Sequence, residues 1–281
     1  MINFNGTLQD NSSNLLSIDN RGYAYGDALF ETIKVLNGKI LFWEDHYFRL
    51  MASMRILRME IPMNFTMEFL QDEIIKTLEA NNETGNSVRV KLLVNRVVGG
   101  KYLPFSNNID YVITTEVLPT DLYQITDSSY IIDLYKDFFI APGLLSTLKT
   151  NNKITNVLGS IYAKENGFDN CLLLNTNKNI IEALNGNIFV VKDNVIKTPP
   201  LEDGCLKGIM RKQVIELLKA NDEFEFVEDS VSPFELQKAD ELFITNVIVG
   251  ILPITNYRKK EFSSEVSKSL LQKLNIKIRL A

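Results

Sequence analysis

Leu148-Lys149-Thr150-Asn151-Asn152 is the stretch on which our prediction of the fold rests. It leads into a predicted helix, 152–166, in which apolar residues recur at helical spacing, namely Ile154, Val157, Leu158 and Ile161. A lysine just ahead of an amphipathic helix can lie at the helix entrance rather than on its solvent face. Lys149 is therefore the first residue for which we consider a chemical role.

The sequence around this stretch predicts strands in short succession, with helices set apart. Asn37-Gly38 predicts a hairpin between 30–35 and 39–42. Further helices are predicted at 44–57, at 66–79 and from Gly208 onward. Strands are predicted at 88–94, 111–115, 130–134, 171–174, 180–182, 188–191, 195–197, 224–227 and 241–245. This pattern favours an α+β fold over a regular doubly wound sheet.

The length of 281 residues suits two domains of ordinary size. Pro119 and Asp121 indicate a linker, so we predict an N-terminal α/β domain at 1–118, a linker at 119–123 and a C-terminal domain at 124–281.

Composition excludes several classes of protein. The chain is 45% hydrophobic and 23% charged, as folded globular proteins are, and its formal net charge of -5 argues against nucleic acid as the main partner. Cys171 and Cys205 are the only cysteines, so a disulfide framework and a four-cysteine metal site are excluded. A single histidine, His46, cannot build a histidine-rich metal site, and we expect no metal.

Neither a leader nor a membrane anchor is expected. The first residues lack the basic and apolar regions of a signal peptide, and no apolar stretch approaches the roughly 20 residues that span a bilayer. We therefore expect a cytoplasmic protein.

A set of short motifs occurs in fixed order along the chain. Lys149 is followed thirty-three positions later by Glu182. The other motifs are 21–27 (RGYAYGD), 30–31 (FE), 46–50 (HYFRL), 187–189 (NIF), 199–201 (PPL), 206–211 (LKGIMR) and 239–246 (ADELFITN). Each motif is weak alone, because an isolated lysine or glutamate is more often a solvated surface group.

Together these motifs resemble the class IV, or fold-type IV, pyridoxal-phosphate enzymes. That group includes branched-chain aminotransferases, D-amino-acid aminotransferases and 4-amino-4-deoxychorismate lyases. The resemblance covers nearly the whole chain, from Asn5-Gly6 to about Pro253. It implies a two-domain fold with a small N-terminal α/β domain and a larger C-terminal domain, whose mainly β core is flanked by helices and binds pyridoxal 5'-phosphate (PLP).

The resemblance also implies roles for particular residues. Lys149 would hold PLP as a Schiff base and later shuttle protons. Glu182 would face the pyridine nitrogen, Leu206 would press on the ring, and Arg49 would bind the phosphate. The backbone at the start of a helix and one turn would complete the phosphate site, through Gly208, Ile209, Met210, Asn246 and Val247.

Two assignments stay open at this point. Lys153 also has an asparagine three positions on and lies in an apolar helical register, but choosing it demands a deletion before Gly167. Lys149 keeps its spacing to Glu182 without a gap against the lyase pattern. His46 matches a family position beside the phosphate-binding arginine, and a structural role for it is equally compatible with the sequence.

Several features favour the lyase, which releases pyruvate and leaves p-aminobenzoate for folate synthesis. The segment 88–102 (VRVKLLVNRVVGGKY) resembles the basic strand and Gly-Gly-basic loop of the lyase. A substrate with two carboxylates would suit three basic residues there, Lys91, Arg96 and Lys101, with Phe30 and Ile248 as further substrate contacts. Phe30 replaces a tyrosine of D-amino-acid aminotransferases, and 246–248 (NVI) replaces the Gly-Thr-Ala turn of branched-chain aminotransferases.

An aminotransferase acting on branched-chain or D-amino acids with 2-oxoglutarate remains the alternative. In either case the resemblance implies a small-molecule substrate and a homodimer, with the loop from Gly99 to Phe105 of one subunit capping the site of the other.

Overall fold

The chain separates into two compact units. The computed structural model describes residues 1–12, 15–125, 128–220 and 223–280. Unit 1 comprises Met1–Asp121 with Lys149–Asn152, and unit 2 comprises Leu122–Leu148 with Lys153–Ala281. Lys149 thus belongs by its contacts to unit 1, although its neighbours in sequence belong to unit 2. The predicted linker at 119–123 stays a prediction.

Unit 1 is built on one antiparallel sheet of six strands, in the order β2-β1-β6-β5-β3-β4. Helices α2 and α3 contact its strands. The elements are β1 (Ile2–Phe4), β2 (Thr7–Gln9), α1 (Arg21–Tyr25), β3 (Ala28–Leu36), β4 (Lys39–Ile40), α2 (Trp43–Ile56), α3 (Met67–Ala80), β5 (Ser87–Arg96) and β6 (Ile109–Val117).

The predicted hairpin forms between β3 and β4. Val35 pairs with Ile40 and Leu36 with Lys39, which leaves Asn37-Gly38 as a two-residue turn. Both turn residues have positive φ, 49° for Asn37 and 76° for Gly38. This backbone matches the right-handed twist of the flanking strands, and Asn-Gly adopts it with little steric cost.

Strand β3 presents two different faces. Leu29, Ile33 and Val35 are at most 1% exposed, and Glu31 shares their face because side chains alternate along a strand. Glu31 bonds to side chains of α2, so this face lies against that helix. Phe30 therefore stands on the opposite face of the sheet.

Unit 2 contains two five-stranded sheets with mixed pairing, in the orders β12-β11-β10-β13-β14 and β16-β15-β7-β8-β9. Single turns of 3-10 helix occur at Leu144–Thr147 and Leu201–Asp203. The other elements are β7 (Ile131–Leu134), α4 (Ile154–Glu165), β8 (Asn170–Leu174), β9 (Ile180–Ala183), β10 (Asn187–Lys192), β11 (Val195–Thr198), α5 (Ile209–Lys219), β12 (Glu225–Glu228), α6 (Pro233–Leu236), β13 (Glu241–Asn246), β14 (Gly250–Ile254), β15 (Asn256–Tyr257), β16 (Lys260–Glu261) and α7 (Glu265–Leu280).

The core of unit 2 is made mainly of strand residues. Every residue of β8 is buried, including Cys171, which has no exposed surface. One cluster of buried side chains joins β7, β8, β10 and β13, and includes Ile132, Leu172, Ile188 and Leu242. Helix α5 contacts β12, β13 and α7. The predicted mainly β core with flanking helices is therefore confirmed.

Most predicted elements are present with small shifts at their ends. The helix after Lys149 begins at Ile154 rather than at Asn152, and Lys153 is its N-cap. Several elements carried no clear signal, among them β1, β2, α6 and the C-terminal helix α7. The α+β class is confirmed.

Candidate active site

Lys149 lies on an extended segment beside β3, not on the helix that follows it. Phe30 N donates to Lys149 O at 3.0 Å, and Asn151 N donates to Ala28 O at 2.9 Å. Thr150 forms an antiparallel bridge with Leu29 between these two bonds. The segment therefore extends the edge of the sheet, and this pairing fixes where the Lys149 side chain begins.

The ring of Phe30 lies close to two ammonium groups. Lys149 Nζ lies 4.3 Å from the ring centroid, and Lys91 Nζ lies 5.1 Å from it. Lys91 is on β5 and pairs with Thr32, so it shares the face of the sheet that carries Phe30. Cations are attracted to the face of an aromatic ring. Three predicted site residues are thus brought together in unit 1.

Arg49 belongs to a buried cluster with Glu31 and His46. Arg49 Nε donates to Glu31 Oε1 at 2.8 Å, and Arg49 Nη2 donates to Glu31 Oε2. His46 Nδ1 lies 2.7 Å from Glu31 Oε2. The three side chains are at most 9% exposed. Helix α2 places His46 and Arg49 one turn apart, so both reach the same carboxylate.

The electrostatics of this cluster favour an ionised glutamate and a neutral histidine. Burial raises the pKa of Glu31, but Arg49 and His46 outweigh it and lower the pKa to about 2. Burial is the largest cause lowering the pKa of His46, and Arg49 and Lys149 lower it further, against the opposing effect of Glu31. The effect of Lys149 on the pKa of His46 also places these two side chains within electrostatic range of each other.

Arg96 is engaged in a structural network. Its guanidinium donates to Asp27 Oδ2 at 3.0 Å, to the carbonyl oxygens of Leu57 at 2.7 Å and Arg58 at 3.1 Å, and to Asn107 Oδ1 at 2.6 Å. Its side chain is 8% exposed. These partners occupy most of the five N–H groups of the guanidinium. The network ties the end of β5 to the residues after α2.

Lys101 lies on a projecting loop that Arg21 anchors. Arg21 Nη1 donates to Gly99 O at 3.1 Å and to Lys101 O at 2.6 Å, while Arg21 Nε donates to Asp27 Oδ2 at 2.9 Å. The loop tip is apolar and open to solvent, with Tyr102 91%, Leu103 83% and Phe105 87% exposed. Arg21 and Arg96 thus share Asp27 and connect this loop to the sheet.

In unit 2, Glu182 and Asn187 hold the segment before α5. Glu182 Oε2 accepts a hydrogen bond from Leu206 N at 2.8 Å, and Asn187 Nδ2 donates to Leu206 O at 2.9 Å. Glu182 lies on β9 and Asn187 on β10. Both backbone polar groups of Leu206 are therefore fixed, and the predicted pair Glu182 and Leu206 is in direct contact.

Gly208 is the N-cap of α5 and, having no side chain, makes no side-chain capping hydrogen bond to this helix end. A Cβ atom at position 208 would lie 1.9 Å from Asn187 Oδ1, so the bond between Asn187 and Leu206 requires glycine here. The backbone of Ile209 and Met210 forms the first turn. Uncapped first-turn N–H groups and the helix dipole attract an anion.

A second backbone turn follows β13. Asn246 Oδ1 accepts hydrogen bonds from Ile248 N and Val249 N, both at 3.0 Å, and Asn246 Nδ2 donates to Asn185 O at 3.1 Å. Tyr123 Oη donates to Val247 O at 2.7 Å. The side chain of Asn246 thereby shapes the turn that the sequence analysis assigned to the phosphate.

Three positioning residues were not among the predicted site residues. Glu31 and Asn187 belong to the motifs 30–31 and 187–189 without a predicted role, and Tyr123 belongs to no motif. Glu31 had a usable signal, because a charged residue inside an apolar strand needs a partner. The other two had none, since their partners lie far away in sequence.

Comparison with known proteins places the chain in a family. A family model described as amino-transferase class IV matches residues 28–257. A protein of Methanocaldococcus jannaschii, provisionally named a branched-chain-amino-acid aminotransferase, is 30% identical over 99% of this chain and 95% of its own length. The D-alanine aminotransferase of Bacillus licheniformis is 25% identical over 90% of this chain and 87% of its own.

A solved structure shares the fold. The 4-amino-4-deoxychorismate lyase of Pseudomonas aeruginosa superposes with a TM-score of 0.83 at 24% identity, and covers 98% of each chain. The chain belongs to the class IV aminotransferase family and is a PLP-dependent enzyme, a lyase or an aminotransferase. Among the described residues, no helix is long and apolar enough to cross a membrane.

Each unit by itself carries groups that suit PLP. Unit 1 offers the Lys149 amine and the Arg49 guanidinium, which Glu31 orients. Unit 2 offers the Glu182 carboxylate, an uncapped helix start at a glycine that admits no side chain, and the Asn246 turn. An amine, a carboxylate and phosphate donors are the chemical groups that this cofactor requires.

Proposed function

We propose that this protein is a PLP-dependent lyase acting on 4-amino-4-deoxychorismate, with Lys149 as the catalytic residue. The observation that carries the proposal is the second ammonium group near the reactive lysine. Lys91 Nζ and Lys149 Nζ share the ring of Phe30, at 5.1 and 4.3 Å from its centroid. A cation beside the reactive amine suits a substrate that bears carboxylates in addition to its amino group.

The residues of both units have separate tasks in this proposal. When bound, PLP supplies an aldehyde that takes up the amino group of the substrate and a ring that accepts electrons from its α-carbon. Lys149 would hold PLP through its amine and would move the proton at the α-carbon of the substrate. Glu182 would keep a proton on the pyridine nitrogen, since a nearby carboxylate favours the charged form of the ring.

The phosphate would be held by a charged side chain and by backbone N–H groups. Arg49 presents a guanidinium whose orientation is set by its two bonds to Glu31. Gly208, Ile209 and Met210 contribute the start of α5, and Asn246 and Val247 contribute the turn after β13. Leu206 would pack on the ring, and its backbone N–H and C=O are held by Glu182 and Asn187.

Substrate recognition falls to Lys91 and Lys101, together with Phe30 and Ile248. Lys91 is half-buried near the reactive amine, and Lys101 is exposed on the anchored loop. The N–H groups of Arg96 are largely taken by Asp27 and by backbone carbonyls. We therefore assign Arg96 to the support of the loop rather than to the substrate.

An aminotransferase acting on branched-chain or D-amino acids is the second candidate. The 30% identity to the Methanocaldococcus jannaschii protein favours it. Both reactions begin by moving the same α-proton, so Lys149, Glu182 and Arg49 serve either one. The side chains around the substrate decide between them, and 246–248 differs from the small turn of branched-chain enzymes.

A direct assay distinguishes the two. Purified enzyme with PLP is incubated with 4-amino-4-deoxychorismate, and p-aminobenzoate and pyruvate are quantified. Parallel reactions contain isoleucine, glutamate or D-alanine with a 2-oxo acid acceptor. We expect product from the first reaction only. Transamination without p-aminobenzoate would remove the lyase and leave the aminotransferase.

We also propose that the enzyme is a homodimer in which the loop from Gly99 to Phe105 caps the site of the other subunit. The support is the exposed apolar tip at Tyr102, Leu103 and Phe105, since large exposed apolar groups mark interaction surfaces. Sedimentation velocity at micromolar concentration tests this. A monomer would overturn the dimer without affecting the assignment of Lys149.

A further inference from the structure

His46 has an unusual position for the only histidine of the chain. It is fully buried on α2, and Nδ1 contacts Glu31 Oε2 at 2.7 Å. The pKa of Glu31 is lowered to about 2, so this carboxylate is ionised at neutral pH and accepts the bond. Nδ1 therefore carries the proton, and Nε2 of the neutral ring presents a lone pair.

Nε2 is a buried polar atom without a hydrogen-bond partner among the described residues. Leaving such an atom unbonded is costly, and native proteins rarely do so without a reason. The charged groups that face the ring are Glu31 from β3, Arg49 from α2 itself and Lys149 from the adjoining segment. Two of these three are cations, which disfavour a third positive charge.

The charge of this cluster changes if a phosphate binds. Glu31 and Arg49 form an ion pair with side chains 2% and 9% exposed, so the pair contributes no net charge. A phosphate dianion at Arg49 would bring two negative charges to a buried region where Lys149 supplies one positive charge. A neutral His46 leaves that excess unbalanced, whereas a protonated ring balances it and turns Nε2 into a donor.

We propose that His46 is a charge-balancing residue, whose Nε2 lone pair takes up one proton from solvent when a phosphate monoester binds at Arg49. A new N–H bond forms at Nε2, and the bond from Nδ1 to Glu31 is retained. The inference rests on the proposed cofactor site and adds to it a coupling between phosphate binding and one titratable group.

The single histidine makes the test direct. His46 is followed by NMR through its ring signals in protein labelled at the histidine Cε1 carbon. The probes are pyridoxamine 5'-phosphate and pyridoxamine, which differ only by the phosphate and cannot bond covalently to Lys149. We expect the phosphate form to raise the titration midpoint of His46 by about one pH unit or more. Saturating pyridoxamine is expected to leave the midpoint unchanged.

A variant distinguishes the effect of protonating His46 from the effect of its hydrogen bond to Glu31. His46→Asn keeps a donor toward Glu31 but cannot be protonated. The dissociation constant of pyridoxamine 5'-phosphate is measured between pH 6 and 8 for the wild type and for His46→Asn. At each pH we compare the ratio of the two dissociation constants, because the titration of the phosphate itself affects both equally and cancels. We expect the wild type to gain affinity over the variant by up to about tenfold per pH unit as pH falls.

Two outcomes overturn the proposal. One is a His46 midpoint that does not move when pyridoxamine 5'-phosphate saturates the protein, and the other is an affinity ratio that is independent of pH. If pyridoxamine 5'-phosphate does not bind at all, the cofactor site itself fails. Normal binding with an unresponsive His46 removes only the coupling.

Discussion

Glu31 fixes Arg49 through two hydrogen bonds to one carboxylate, from Nε at 2.8 Å and from Nη2. The two residues come from a strand and the helix after it. A guanidinium held in this way keeps one orientation and loses little entropy when it binds an anion. The arginine assigned to the phosphate is thus positioned by a residue that has no predicted contact with the cofactor.

Replacing Glu31 by Gln should destabilise the fold in a pH-dependent manner. Because the Glu31 pKa is lowered to about 2, its charge stabilises the folded state fully above the ordinary pKa of 4.5, and this contribution is lost as pH falls through about 2. We expect a loss of about 2 kcal/mol at pH 7, shrinking at pH 3. Urea unfolding of both proteins at the two pH values measures it. A difference independent of pH would contradict the assignment.

Replacing Gly208 by Ala should weaken PLP binding. The added Cβ would lie 1.9 Å from Asn187 Oδ1, so Asn187 must move and release Leu206 O. We expect about a tenfold weaker affinity and a stability loss of about 1–3 kcal/mol. Gly85→Ala is the matched control, because no atom of a described residue beyond its two chain neighbours lies within 4 Å of its new Cβ. Equal behaviour of the two variants would argue against a constrained helix start.

Replacing Lys149 by Ala should abolish covalent attachment of PLP. We expect the wild type to retain the cofactor after borohydride reduction, with the added mass located on Lys149 by peptide mass spectrometry. Lys153→Ala is the control, since Lys153 is the competing lysine and occupies the N-cap position of α4. Its adduct should match the wild type. An adduct lost from Lys153→Ala and kept in Lys149→Ala would reverse the assignment.

Replacing Lys91 by Met should raise KM for the dicarboxylate substrate about tenfold or more, because one charge-assisted hydrogen bond contributes about 1.5–3 kcal/mol. The rate at saturation should change less. Arg89→Met is the control, since Arg89 lies two residues earlier on β5 with a side chain 45% exposed, and bonds to Glu116. Steady-state kinetics of the two variants decide the matter. Equal KM values would remove Lys91 from the substrate site.

Replacing Arg96 by Lys should reduce stability rather than substrate affinity. A lysine cannot reach Asp27, Asn107 and the carbonyl oxygens of Leu57 and Arg58 together. We expect a loss of about 2–3 kcal/mol in urea unfolding. A raised KM with unchanged stability would return Arg96 to the substrate site.

Local signals predicted most of the fold. Short local sequence patterns are enough to predict the Asn37-Gly38 turn, the amphipathic helices α2 and α3 and the apolar strand β8. Elements such as α6 and α7 were missed. The carboxylate of Glu241 bonds to the N–H groups of Val266 and Ser267 at the start of α7, a contact that sequence does not reveal.

Motifs in a fixed order along the chain were enough to predict the family, the α+β class and the residue types that PLP chemistry requires. The support of those residues became visible only in three dimensions. The tertiary structure placed Lys149 on an edge segment beside Phe30, joined Glu31 to Arg49 and His46, and occupied Arg96 with backbone carbonyls. Burial and hydrogen-bond partners come from residues far apart in sequence, so no local sequence pattern predicts these contacts.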